Sequence, residues 1–143
     1  MYVHQRFPHC ADAPAAAREV LDAVLAERLP AHAVAELRLV VSELVTNAVR
    51  HGLDRGGAVE LTVNVTGDVA RIDVTDGGEG FRPPQRPPEP ADVGGWGLVV
   101  VDRLASRWGV ESAPSTRVWA EVPLASSGTN GGGATAPVYA RNV

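Results

Sequence analysis

The sequence predicts an α+β fold, a two-layer sandwich in which helices cover one face of a mainly antiparallel mixed sheet. Three observations predict it. The elements run helix, long helix, hairpin, long loop, helix, hairpin. The strand segments alternate apolar and polar residues, which suits a sheet packed on one side only. The helical segments carry one apolar stripe each, and a stripe and a sheet face bury each other most economically as two layers.

Each element has a local reason. Residues 3–8 form a short entering strand. Asp12 and Pro14 mark a helix start, with Asp12 as the N-cap. Val20, Leu21, Val24, Leu25 and Leu29 fall at helical spacing, so a helix is expected over 14–29, ended by Pro30. The second helix covers 32–51, with Leu37, Val41, Leu44, Val45 and Ala48 as its core stripe and Gly52 as C-cap. AVELTVNV (58–65) places Val59, Leu61, Val63 and Val65 on one face. Gly67-Asp68 makes the turn to VARIDVTD (69–76). Residues 77–95 hold five glycines and five prolines, a long loop. GLVVVDRLAS (97–106) is a third helix, buried through Leu98, Val101, Leu104 and Ala105. RWGVES (107–112) and RVWAEVP (117–123) close the sheet, with Trp108 and Trp119 expected in its core. One domain spans 1–124, and the Ser/Gly/Ala-rich residues 125–143 read as a disordered tail.

Composition narrows the chemistry. The 143 residues fit one domain with a respectable core. The net charge of -4 argues against a general nucleic-acid binder. All 13 basic residues are arginine. Without lysine there is no P-loop lysine and no Schiff-base chemistry. The single cysteine, Cys10, allows no intrachain disulfide. No apolar run approaches a membrane span and no signal peptide opens the chain, so the expected location is the cytoplasm.

Three segments could carry a site. In ELVTNAVRHG (43–52), Glu43 and Asn47 lie one turn apart on one helix face, in a second stripe of Glu36, Val40, Glu43, Asn47 and Arg50. That stripe is either a solvated edge or the wall of a site. DGGEG (76–80) follows a strand; it is either a plain turn or a place where a carboxylate accepts from an exocyclic amine while glycines admit a flat ring. An adenine satisfies both features. GGWGL (94–98) opens a helix, either as a hinge or as free backbone donors at Gly95, Gly97 and Leu98 facing phosphate. Neither a Rossmann nor a P-loop pattern is present.

ExxxN on a helix, DxGxG after a strand and GxGL at a helix start, in that order, resemble the Bergerat-type ATP-binding fold. SELVTNAVRHG with WGLVVVDRLASRWGV and TRVWAEVPL resembles its anti-sigma-factor serine/threonine kinases, over roughly residues 10–124. The resemblance implies roles. Asn47 ligates Mg²⁺, Glu43 is the general base, and Asp76 binds the adenine amine. Gly78 and Gly80 let the base approach, Gly95, Gly97 and Leu98 cradle phosphates, and Thr116 bonds near the adenine end. It implies ATP and Mg²⁺ as cofactors, and a sigma factor and an anti-sigma-factor antagonist as partners. It also implies homodimers, as in the better-known relatives, with no direct nucleic acid or membrane contact. The family usually has glycine where Ser115 stands. Some relatives place a lysine near the phosphates; Arg82 and Arg86 are the cations nearest that position here, and they read as solvated.

The implied function is phosphorylation of the antagonist on serine or threonine in a partner switch. The alternative is a non-catalytic ATP-binding module that sequesters a partner. A histidine-kinase catalytic part fits less well, since no dimerisation helices precede the fold. His4, His9 and Cys10 match no common zinc spacing. His51 reads as a helix C-terminal cap. The proline-rich loop 81–94, flanked by glycines, reads as a lid.

Overall fold

The computed structural model describes residues 1–51, 57–76, 98–111, 115–124 and 138–139. The glycine segments 77–80 and 94–97, the loop between them, Gly52 and most of the tail lie outside these residues. The described order is β1 (Tyr2–Pro8), α1 (Ala13–Leu25), α2 (Ala31–His51), β2 (Ala58–Thr66), β3 (Val69–Asp76), α3 (Leu98–Leu104), β4 (Arg107–Glu111), β5 (Thr116–Pro123) and β6 (Val138–Tyr139). The sheet order is β1-β2-β3-β5-β4-β6. All neighbours are antiparallel except β4 and β6, which pair in parallel through Gly109↔Val138 and Val110↔Tyr139. The mainly antiparallel mixed sheet with helices on one face is therefore present.

The alternation read in the strands becomes the two faces of the sheet. Val59, Leu61 and Val63 of β2, Ala70, Ile72 and Val74 of β3, and Val118, Ala120 and Val122 of β5 are buried under the helices. Thr66 and Val69 pair across a two-residue loop in which Gly67 has φ +58°. A glycine at the first loop position is what a type II′ hairpin turn requires.

α2 packs on α1, on α3 and on β2, β3 and β5. Its buried arc is therefore wide: Ala33, Val34, Leu37, Val40, Val41, Leu44 and Val45 are all inside. Polar contacts fix its angle to α1. Arg38 pairs with Asp22, and Arg18 donates to Ser42 Oγ at 3.1 Å.

Three expectations need correction. α1 ends at Leu25 rather than residue 29. A helix continued to Pro30 would bring the proline ring against the carbonyl of Ala26, so the chain tightens a turn earlier, with the Arg28 and Leu29 amides both donating to Leu25 O. Asp12 sits at the N-cap position but its side chain makes no capping bond, because its own backbone is already helical at φ -82°, ψ -10°. Trp119 is buried, yet on the face away from the helices. It alternates with Val118 and Ala120, and Arg71 lies over its ring at 4.0 Å. Trp108, in contrast, is in the main core, and its Nε1 donates to Asp102 Oδ1 of α3 at 3.0 Å.

Candidate functional site

Among the described residues, the buried polar side chains are Asn47, Asp76 and Thr116, at 3%, 3% and 4% exposure. They come from three elements and converge on one recess. Asp76 ends β3 and Thr116 begins β5, and the two are register partners. Two rungs further in, Val74 pairs with Val118 on the same face. α2 lies across this end of the sheet and adds Asn47 and Ala48. Those six residues line a recess of about 230 Å³, its open mouth included.

The local sequence accounts for the arrangement. Period-two alternation that buries Ala70, Ile72 and Val74 also directs Asp76 inward, and the same holds for Thr116 ahead of Val118, Ala120 and Val122. A carboxylate and a hydroxyl on core-facing positions are costly to bury without partners. None of the three polar residues is left without an interaction. Val74, Val118 and Ala48 supply flat apolar walls, with a carboxylate at one edge.

The structure thus brings Asn47, Asp76 and Thr116 together. Glu43 is half-buried on α2, one turn before Asn47, and does not line the recess. Leu98 is the buried first residue of α3 and does not line it either. Gly78, Gly80, Gly95 and Gly97 lie outside the described residues. Val40, grouped in sequence with Glu43 and Asn47, is fully buried core. Val74 and Val118 escaped the motif reading; their i, i+2 spacing to Asp76 and Thr116 is the signal that finds them. No sequence signal finds His9, whose Nε2 lies 3.0 Å from the Ala48 carbonyl oxygen.

The donor set also bears on a metal. Among the described residues, no cluster of three or more His, Cys, Asp or Glu is placed to hold an ion. A single side-chain oxygen such as that of Asn47 suits Mg²⁺, which keeps several waters and draws other ligands from phosphate. No described helix is long and apolar enough to cross a membrane.

The family described as histidine kinase-like ATPase domain matches residues 7–121, four-fifths of the chain. The chain belongs to the histidine kinase-like ATPase family. Among solved structures, this ATPase domain is similar in fold to a Mycobacterium tuberculosis structure of the RsbU and RsbW domains of Rv1364c. The TM-score is 0.67 at 24% identity, over 87% of this chain and 32% of that one. The domain thus spans about a third of that neighbour's length. No curated protein matches it. Family membership implies ATP binding.

Proposed function

We propose that the domain is an ATP-dependent serine/threonine kinase acting as an anti-sigma factor, and that its substrate is an anti-sigma-factor antagonist. The observation that carries the reading is the convergence of Asn47, Asp76 and Thr116 on one apolar-walled recess. Asp76 accepts from the adenine amine, Val74 and Val118 flank the ring, and Thr116 bonds at the same edge. Asn47, on the helix side of the recess, holds Mg²⁺. When bound, that ion neutralises charge across the phosphates. Glu43, one turn away, accepts the proton of the attacking hydroxyl. The hydroxyl oxygen bonds to the γ-phosphorus, the bond to the bridging oxygen breaks, and ADP leaves. The partners are a sigma factor and the antagonist, the domain works as a homodimer in the cytoplasm, and it makes no direct contact with nucleic acid or membrane.

The test is transfer of label from γ-labelled ATP to candidate antagonist proteins. Glu43→Ala is expected to keep nucleotide affinity and lose ~10²–10⁴-fold in single-turnover transfer, the usual contribution of a general base. Asn47→Ala is expected to lose Mg²⁺-dependent affinity. Equal transfer by the parent and Glu43→Ala removes Glu43 from the chemistry. The alternative is a regulatory module that binds ATP without transferring phosphate. Nucleotide binding with no transfer to any antagonist decides for that reading.

A further inference from the structure

We propose that His9 is a positioning residue for the nucleotide site, clamping the turn of α2 that carries Asn47. The proposal rests on the nucleotide reading of the recess, and its first step can be tested without any nucleotide.

α2 ends at His51. A backbone carbonyl has two lone pairs, so Ala48 O, in the last turn of the helix, can accept a side-chain donor beside any helical amide. Carbonyls in a last helical turn also accept from water or from cationic and polar side chains. Here the partner comes from the far end of the chain. His9 Nε2 lies 3.0 Å from Ala48 O, 39 residues away, in a partly buried contact. A carbonyl only accepts, so Nε2 donates. Both the Nε2–H tautomer and the imidazolium can make the bond, and the cation also suits the negative end of the helix.

His9 itself is held in place. It follows β1, whose Phe7 is core, and the next residues form a tight turn with Cys10 N donating to Pro8 O at 2.9 Å and Ala13 N to Cys10 O at 3.1 Å. The ring thus ties the β1–α1 corner to one carbonyl at the edge of the recess. Ala48 is itself a recess residue and is bonded directly to Asn47. A free last turn frays, whereas a residue that ligates a metal must be held to within ~0.5 Å. Asp76 and Thr116 stand on paired sheet strands and do not depend on this clamp.

That asymmetry defines the effect. Loss of the clamp weakens the Asn47 end of the site and spares the adenine end. His9→Ala is expected to lower affinity for Mg-ADP by about tenfold or more, the usual cost of losing a residue that orients a metal ligand. Affinity for ADP in excess EDTA stays near that of the parent. His9→Gln places an amide N–H close to the Nε2 position and restores most of the Mg²⁺-dependent affinity. In the nucleotide-free protein, amide hydrogen exchange of peptides ending α2 speeds up in His9→Ala and not in His9→Gln.

Calorimetry with and without Mg²⁺, beside the exchange measurement, tests all of this. Equal loss of affinity in both conditions means general destabilisation and overturns the proposal. Unchanged exchange at the end of α2 overturns it as well, with or without nucleotide. If the parent binds no adenine nucleotide in either condition, the nucleotide reading itself fails, an outcome that the exchange result keeps distinct from failure of the clamp.

Discussion

At the residue scale, Asp76 is the side chain whose position says most. A carboxylate at 3% exposure on the core face of a strand is expensive unless something uses it. Hydrogen bonds to charged groups contribute ~1.5–3 kcal/mol, so Asp76→Asn, which keeps the shape and removes the charge, is expected to weaken ADP binding about ten- to hundredfold. Calorimetry of that variant checks it, and an unchanged dissociation constant would release Asp76 from the adenine role. As a candidate it is legible in the sequence, because a polar residue sits at the end of an otherwise regular alternation and is followed by glycines. Val74 and Val118 were not legible as site residues. A valine two positions before an acid looks the same whether it faces core or ligand, and only the β3–β5 register, which sets Val74 opposite Val118 and Asp76 opposite Thr116, aligns all four.

At the element scale, α2 was read as a helix with two stripes, one core and one polar. The structure divides the polar stripe. Val40 is fully buried and Asn47 nearly so, whereas Arg50 is exposed and Glu36 and Glu43 are half-buried. The reason is that α2 touches α1 on one side, α3 on the other and the sheet beneath, so its buried arc exceeds what one stripe would need. Val40→Asp is therefore expected to destabilise the fold by several kcal/mol, through an unpaired charge in the core. Arg50→Ala is expected to stay within about 0.5 kcal/mol, as surface changes usually do. Urea denaturation of the two variants checks the contrast. Similar midpoints would mean that α3 does not cover this side of the helix. α3 is in turn anchored by the bond from Trp108 to Asp102, a contact between residues six apart that spans the end of the helix and the start of β4.

At the scale of the whole molecule, one sheet face carries the helices and the other carries a lattice of arginines and carboxylates. Arg71 donates to Asp73 at 3.1 Å and to Glu121 at 3.2 Å while stacking on Trp119. Arg107 donates to the same Glu121 at 3.0 Å, and Arg117 pairs with Glu111. The hydrogen bonds from Arg107, and then its charge together with Arg71, hold the Glu121 carboxyl below the ordinary glutamate value of 4.5. A carboxyl whose value is lowered on folding stabilises the native state once ionised, and that contribution is lost as pH falls through its lowered value. Glu121→Gln is thus expected to be less stable than the parent at neutral pH, with the gap closing in acid well below 4.5. Denaturation midpoints at the two pH values check it. A gap independent of pH would show that packing around Trp119, rather than charge, accounts for the loss.

Periodicity is enough to name the two layers, the helices, the hairpin turn and the order of β1 to β5 along the chain, because burial on one face forces a pattern that repeats every two or 3.6 residues; β6, in the tail, it does not name. Asn47 and Asp76 stand out in one dimension, through the helix pair Glu43 and Asn47 and through DGGEG after a strand, whereas Thr116 enters only through the family resemblance. Which strand lies beside which could not be read, since pairing β3 with β5 rather than β4 depends on how the third helix returns the chain. Which face buries Trp119 could not be read for a related reason: the arginines that cover it, 48 and 12 positions away, are brought over its ring only by neighbouring strands. His9 is the clearest case. Its neighbours in sequence give it no task, and it acquires one only when β1 and α2 fold together and its ring meets a carbonyl in the last turn of the helix.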